Sequence, residues 1–184
     1  LRRIHYAWHT PRMLGPGDAE LDVLADALGR PGTGRLYKIL VLEKQLAQNV
    51  HVYQGSQQLS STFEVIADLK SVADLAEVER ILDEELARVA KEPITSRELA
   101  RAVEKFESSY VWGLEPLSAR AETLQRYNHY VGNPDYITQD LDRYRKTTAD
   151  KVRDVAARFL AKTARVEVVT MPATKPVATT GGKQ

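Results

Sequence analysis

Four short stretches of the chain have the composition or the alternation of hydrophobic and polar residues that is typical of strands. In the longest of them, Phe63, Val65 and Ala67 would share one face. The predicted strands are Arg3–Trp8, Asn49–Tyr53, Leu59–Leu69 and Val166–Val169. Because the turn formers Gly55 and Ser56 separate the middle two, we expect an antiparallel hairpin with a loop of roughly five residues.

In other segments apolar residues recur every three or four positions, which predicts amphipathic helices. Asp18 is the expected N-cap of the first helix and Gly29 its stop. A glycine-rich turn follows, and Thr33 or Gly34 would cap a short second helix. The apolar positions of that second helix are Leu36, Ile39, Leu40 and Leu46.

The second half of the chain is predicted to be mainly helical. Thr95 and Glu98 form a capping box, and Thr148 is a further N-cap. The predicted helices cover residues 75–89, 95 to about 111, 118–131, 136–144 and 148–160, and the breaks fall at Pro93, Gly113, Pro116 and Gly132-Asn133-Pro134. Because few strands are separated by single helices, the order favours an α+β fold with helices on one face of a largely antiparallel sheet.

The chain is long enough for one domain with a substantial core, which we place at residues 1–171. Residues 172–184 are rich in Pro, Thr, Gly and Lys and are predicted to be a disordered tail. The sequence begins at Leu1 without an initiator Met, so we expect a fragment of a longer protein that could have lost a targeting segment.

Charge and composition exclude several classes of function. The 26 basic and 25 acidic residues give a net charge of +1, which is not the excess of positive charge typical of nucleic-acid-binding domains. There is no cysteine, hence no thiolate metal site, and no apolar run approaches the length of a membrane span. The basic run Arg143-Tyr144-Arg145-Lys146 is interpreted as a solvated helix end, where cations suit the helix dipole.

The four histidines do not form a recognisable metal motif. His5 and His9 lie four residues apart, but in a strand this spacing separates them by about 13 Å. No zinc signature of the His-Glu-x-x-His type or its inverse is present. We therefore predict structural roles for both, as for His51 in the hairpin and for His129 on the packing face of a helix.

No nucleophile or acid–base constellation is apparent. Ser60, Ser61 and Thr62 are expected to be cross-strand partners. Glu84 and Glu85 are adjacent on a helix and are predicted to be solvated. Gly32 and Gly34 would leave backbone N–H groups near a helix start, where an anion could rest, although a plain helix-to-helix turn is favoured.

Several segments together resemble the insulinase-like zinc peptidases, the family of pitrilysin and the mitochondrial processing peptidases. The resemblance covers Arg3 to about Val169. It is carried by the order and spacing of AWHTP, DALGRPGTGRLYKIL, EKQLAQNV and KEPITSREL. In that family the N-terminal half of a subunit binds zinc through an inverted His-x-x-Glu-His motif, which this chain lacks. The resemblance therefore implies an inactive C-terminal domain with no catalytic or metal-binding residue of its own.

Many family members carry Leu-Arg-Glu-Lys-x-Gly-Leu-Ala-Tyr between helix and strand, where the Arg and Tyr help to hold substrate near the zinc. When Leu46 and Ala47 are matched to Leu-Ala, Val41 takes the Arg position and Gln48 the Tyr position. Both are predicted to be non-functional, because valine has no donor and glutamine no phenol. Arg35 and Tyr37 are near in sequence but do not stand at the matching positions.

The resemblance implies a parent zinc metalloendopeptidase in which this domain packs on the zinc-bearing N-terminal domain and forms part of a clamshell chamber for peptides. A homo- or heterodimeric partner is also implied, and zinc is expected only in the N-terminal domain. The domain should be inactive alone and should expose an apolar face that its partner covers. An exported or periplasmic location is favoured, and a cytoplasmic one stays open. The alternative function is a non-enzymatic assembly module that shares the fold.

Overall fold

The computed structural model describes residues 2–71 and 73–173 of the chain. The strands are β1 (Arg2–Thr10), β2 (Ala47–Gly55), β3 (Ser61–Leu69) and β4 (Arg165–Thr170). The helices are α1 (Asp18–Gly29), α2 (Arg35–Tyr37), α3 (Leu75–Val89), α4 (Ser96–Gly113), α5 (Leu117–Val131), α6 (Ile137–Arg145) and α7 (Ala149–Phe159). This arrangement confirms the predicted α+β class.

The four strands form one sheet in the order β2-β3-β1-β4, and every neighbouring pair is antiparallel. Residues 56–60 connect β2 to β3, so the predicted hairpin and its loop length are confirmed. The central strand is β1, which pairs with β3 on one side and with β4 on the other. The first strand of the chain is thus held by two strands that come much later in sequence.

One face of the sheet is covered by helices, and we call the opposite one the outer face. The inner face carries Ile4, Tyr6 and Trp8 of β1 and Phe63 and Val65 of β3, which are all buried in the core. The alternate residues on the outer face are partly or fully exposed along all four strands. In β1 and β3, period-two alternation therefore separates a packed face from an open one, whereas β4 is exposed on both faces along most of its length.

Helix α1 lies inside the molecule and contacts β2, α4, α6 and α7. It ends at Gly29, as predicted, but the reason for glycine is different. Its φ is not positive; instead, a Cβ at this position would lie only 2.7 Å from Cβ of Val52 on β2. Asp18 is not the N-cap, because Gly17 takes that position with φ of 99°. The Asp18 carboxylate instead accepts a hydrogen bond from the backbone N–H of Leu14.

The short second helix differs from the prediction. It begins after Gly34 as three α-helical residues and continues as a π-helical turn over Lys38–Glu43. The backbone N–H of Lys44 donates to the carbonyl of Ile39, five residues earlier. Leu46 lies beyond this turn and not on the helix, because the chain reverses through Gln45, whose φ is 53°. Side-chain periodicity alone could not reveal this wider turn.

The capping predictions for the later helices are confirmed. Thr95 and Glu98 form both hydrogen bonds of the capping box, and the Thr148 hydroxyl accepts from the backbone N–H of Lys151. Gly132 ends α5 with φ of 69°. Of the predicted tail at 172–184, only residues 172 and 173 are described, and they have no regular secondary structure. The extent of the domain, 1–171, stays a prediction.

Candidate functional site

The two positions that match the family's substrate-holding pair lie at the junction between the π-helical turn and β2. Val41 is partly buried and packs against the core, whereas Gln48 is exposed beside an irregularity in β2 between Ala47 and Asn49. Neither side chain carries a charge. Gln45, which stands where the family pattern has glycine, adopts the left-handed conformation that glycine favours.

Arg35 is not a free substitute for the missing arginine. Its Nε and Nη2 atoms each donate to a Glu98 carboxylate oxygen at 2.7 Å, and Nη1 lies 3.4 Å from Glu85. Burial alone would raise the pKa of Glu98, but the hydrogen bonds from Arg35 and Thr95 outweigh it and hold that pKa at about 2. Arg35 therefore ties the start of α2 to α3 and α4.

This network corrects the prediction that Glu84 and Glu85 are both solvated. Glu84 is exposed, but Glu85 is only 2% exposed and forms ion pairs with Arg35 and Arg88. A buried carboxylate needs such partners because desolvation penalises its charge. The sequence pattern gave no sign of this, since Arg35 lies 50 residues before Glu85.

Replacing Arg35 with methionine is expected to lower the free energy of unfolding by about 2 kcal/mol at neutral pH, because Glu85 loses a partner and Glu98 its bidentate one. The folded-state pKa of Glu98 is depressed, so its contribution is present above about pH 4.5 and is lost as the pH falls towards 2. Urea unfolding at several pH values would show the difference between the proteins shrinking in acid.

Arg80→Met is the matched control for Arg35→Met. Among the described residues, Arg80 forms an ion pair with Glu84 alone, four residues later, and both side chains are more than half exposed. Its loss should cost no more than about 0.5 kcal/mol. Equal effects of the two substitutions would show that the Arg35 network does not stabilise the fold.

A polar cluster occupies the outer face of the sheet. The Glu64 carboxylate accepts hydrogen bonds from Tyr53 at 2.5 Å and from Thr62 at 2.9 Å, and it lies 2.7 Å from Nε2 of His5. Burial opposes ionisation of Glu64, but these hydrogen bonds dominate and lower its pKa. The bond to Glu64 and partial burial in turn raise the pKa of Tyr53 to about 12. Strand register alone brings these residues together, so sequence reasoning missed the cluster.

The other histidines remain scattered. His9 is exposed and its Nδ1 lies 3.4 Å from the Ser60 hydroxyl, while His51 contacts Asn49. His129 is exposed on α5 against the edge of the Tyr130 ring, so its predicted place on a packing face is wrong. Helix α5 buries only Thr123 and Tyr127. Its packing face is therefore narrower than the sequence suggested.

The hydroxyl-bearing residues near the hairpin turn have structural contacts. Ser61 lies opposite Thr10 and Thr62 opposite His9, as cross-strand partners, whereas Ser60 belongs to the loop. The Ser61 hydroxyl accepts a hydrogen bond from the backbone N–H of Gln57. No serine or threonine in the described ranges is placed beside a base that is itself oriented by a carboxylate, which a catalytic triad requires.

A second polar cluster lies between α1 and α6. Asp18 is 2% exposed, and its carboxylate accepts hydrogen bonds from Ser56 and Gln54 and from the Arg143 guanidinium. The Tyr144 hydroxyl donates to Asp22 at 2.6 Å. Tyr144 is therefore buried and Arg143 only partly exposed, which corrects their interpretation as a solvated helix end. Only the neighbouring Arg145 and Lys146 are exposed.

The candidate anion and metal sites are not formed. The N–H of Gly34 donates to the Arg30 carbonyl at 2.7 Å and is not free for an anion. Within residues 2–71 and 73–173, no three His, Asp or Glu side chains are grouped so that they could hold a metal ion. None of the helices in this part of the chain combines the length and apolar character needed to cross a membrane.

Comparison with known proteins gives one family and one fold. The Peptidase M16 inactive domain family matches residues 1–106. An uncharacterized zinc protease of Streptomyces coelicolor is 28% identical over 149 residues, which cover 81% of this chain. The match takes in 32% of that relative, so the chain spans about a third of its length.

Two solved structures share the fold. The inactive peptidase domain of a protein assigned as a zinc protease in Bordetella parapertussis has a TM-score of 0.85 at 24% identity, with 97% of this chain and 95% of that one covered. A protease from Helicobacter pylori has a TM-score of 0.84 at 20% identity, and the match covers 94% of this chain and 41% of the other. The family match covers more than half of this chain, and the shared fold agrees with it. The chain therefore belongs to the Peptidase M16 inactive domain family.

Proposed function

We propose that this chain is the non-catalytic C-terminal domain of a zinc-dependent metalloendopeptidase. It packs on a zinc-bearing N-terminal domain of the same parent protein and forms part of the wall of a chamber that encloses peptide substrates. Zinc and the hydrolytic step belong to that other domain. The membership of the inactive domain family and the similarity to a zinc protease support this assignment.

The observation that carries the proposal is the outer face of the sheet. A solvated sheet face is normally polar, yet Val166 and Val168 on β4 are 63% and 49% exposed there. Their cross-strand neighbours on β1 are Ala7 and His5, and His5 is in turn opposite Ile66 of β3. Val166, Val168 and Ala7 thus form a small apolar patch at the β4 edge of the outer face, bordered by His5.

The same face carries polar groups from β2 to β1, where Glu64 of β3 binds Tyr53 of β2 and lies beside His5 of β1. A mixed surface of this kind is typical of an interface between domains of one protein, which is more polar than a permanent subunit interface. We therefore assign the apolar patch to contact with the zinc-bearing domain, and we expect the polar part to border the chamber.

The test is co-expression of this chain with the zinc-bearing domain of its parent protein. We expect the two to co-purify, and we expect peptide hydrolysis by the pair to be abolished by a chelator. Val168→Lys should weaken the association at least tenfold, because it places a charge in the apolar patch. Size-exclusion chromatography and a quenched-peptide assay provide the two measurements.

Leu117→Lys is the matched control, because Leu117 is 79% exposed at the start of α5, away from the sheet. It should leave association unchanged, and thermal melts should show that both variants are folded. If Val168→Lys lowers the melting temperature, Val166→Lys takes its place. Zinc-dependent hydrolysis by this chain alone would contradict the proposal. Co-purification without activity would instead favour an assembly module.

A further inference from the structure

Three aspartates stand four residues apart on α1 and follow one face of the helix. Asp18 pairs with Arg143 at 3.2 Å, and Asp26 pairs with Lys105 at 2.7 Å. Asp22 lies between them, and no ion pair reaches it from the residues that the structure describes. Its one hydrogen bond comes from the uncharged hydroxyl of Tyr144.

Asp22 lines three cavities, one of about 280 Å³ towards β2 and two adjoining ones between α1 and the outer helices, of about 320 Å³ and 250 Å³. The last two share Asp22, Phe106, Ser109 and Tyr144, so they form one crevice along the helix. The Phe106 and Tyr144 rings are stacked on each other and form part of the crevice wall, and the Arg143 guanidinium lies over the Tyr144 ring. Asp140 also lines the larger cavity. Its Oδ1 is buried and makes no hydrogen bond, although Nε of Arg143 lies 3.2 Å away.

We propose that this crevice binds an organic cation, the primary ammonium group of an alkylamine or of a lysine side chain, with the charge beside Asp22. The aromatic walls take the aliphatic stem by apolar contact. The ammonium gives Asp22 a positively charged partner, as Arg143 does for Asp18 and Lys105 does for Asp26. Burial is the main reason that the pKa of Asp22 is raised to about 7, because desolvation penalises its charged form.

The geometry favours ammonium over guanidinium. One carboxylate oxygen of Asp22, Oδ2, is already occupied by the Tyr144 hydroxyl. A guanidinium binds best through two parallel hydrogen bonds to both oxygens of a carboxylate, whereas an ammonium is a point charge that one oxygen can serve. A metal ion is not favoured, because no three suitable ligands converge within the described ranges.

Binding should depend on pH because Asp22 must be ionised to hold the cation. The charged or titratable groups that line the crevice with it are Asp18 and Asp26 on α1, Lys105 and Tyr110 on α4, Arg126 and Tyr127 on α5, and Asp140, Arg143 and Tyr144 on α6. Of these, Asp18 and Asp140 raise the pKa of Asp22, and Arg143 lowers it. The inference is separate from the proposed function, since it concerns the helical side of the domain.

The test is an amide NMR titration of the chain with hexylammonium chloride, with hexan-1-ol as the uncharged probe of the same length. At about pH 8 we expect saturable shifts at Asp22, Phe106 and Tyr144, and affinity at least tenfold higher than for the alcohol. Lowering the pH to about 5.5 should weaken hexylammonium binding by at least tenfold, because Asp22 becomes protonated.

Asp22→Asn keeps the shape and an acceptor for Tyr144 but removes the charge, so it should abolish the preference for the ammonium. Asp150→Asn is the control, because Asp150 is exposed on α7 and pairs with Arg153, which does not line the crevice. It should bind as the unaltered chain does. Equal affinity for hexylammonium and hexan-1-ol would overturn the proposal, and so would undiminished binding by Asp22→Asn or shifts that never saturate.

Discussion

Replacing Gly34 with alanine is expected to lower the free energy of unfolding by about 3 kcal/mol. Gly34 precedes α2, and its φ of −65° is open to any residue, so the effect is steric. An added Cβ would lie 2.5 Å from the backbone nitrogen of Arg30 and 2.6 Å from the carbonyl oxygen of Leu28. Backbone atoms cannot move aside as a flexible side chain can, and the turn after α1 would have to open.

Gly113→Ala is the matched control for this substitution. Gly113 ends α4, and a Cβ there would meet no heavy atom within 4 Å. Alanine is the better helix former, so this change should be neutral or should stabilise the chain by up to about 1 kcal/mol. Urea unfolding followed by circular dichroism gives both values. If the Gly34→Ala protein is as stable as the unaltered chain, the backbone of the turn can shift to make room for a Cβ without loss of stability.

Asp22→Asn is expected to stabilise the chain in the absence of any ligand, by about 2 to 4 kcal/mol above neutral pH. The folded-state pKa of Asp22 is raised from 3.8 to about 7, mainly by burial. Below about pH 4 the group is protonated in both states, and its folded form carries no charge to desolvate. As the pH rises towards 7, only the unfolded chain releases the proton, so stability is lost until the folded pKa is passed. Asparagine does not titrate and escapes this loss.

The measurement is urea unfolding of both proteins between about pH 4 and pH 8. The gap in stability should open across this range and stay constant above it. Asp150→Asn, which changes an exposed carboxylate, should run parallel to the unaltered chain at every pH. A constant gap for Asp22→Asn over the whole range would show that Asp22 has an ordinary pKa in the folded protein.

Local signals predicted much of this fold. The hairpin between Asn49 and Leu69 follows from alternation around Gly55, and the start of α4 follows from the capping box of Thr95 and Glu98. Each depends on residues within a few positions of one another, whose energetics do not require the rest of the chain. The resemblance to the zinc peptidases added the family, which is shown, and the roles of Val41 and Gln48, which remain predictions.

The rest depended on tertiary contacts that no local pattern encodes. Glu85 and Arg143 look like surface residues in sequence, yet Glu85 is buried and Arg143 is only partly exposed, and each faces an opposite charge from a distant element. The outer-face cluster around Glu64 exists only because β1 and β2 both pair with β3 in a fixed register. The same reason hides the crevice at Asp22, since its walls come from α1, α4 and α6.

The central place of β1 has a consequence for how the chain folds as it is synthesised. Of the four described strands, β1 is synthesised before the others, but Arg3 pairs with Thr170, so one side of β1 stays open until β4 has left the ribosome. Closing so long a loop is slow, and an unpaired strand edge is prone to pair with other chains meanwhile. The nascent domain therefore depends on its last strand to shield its first.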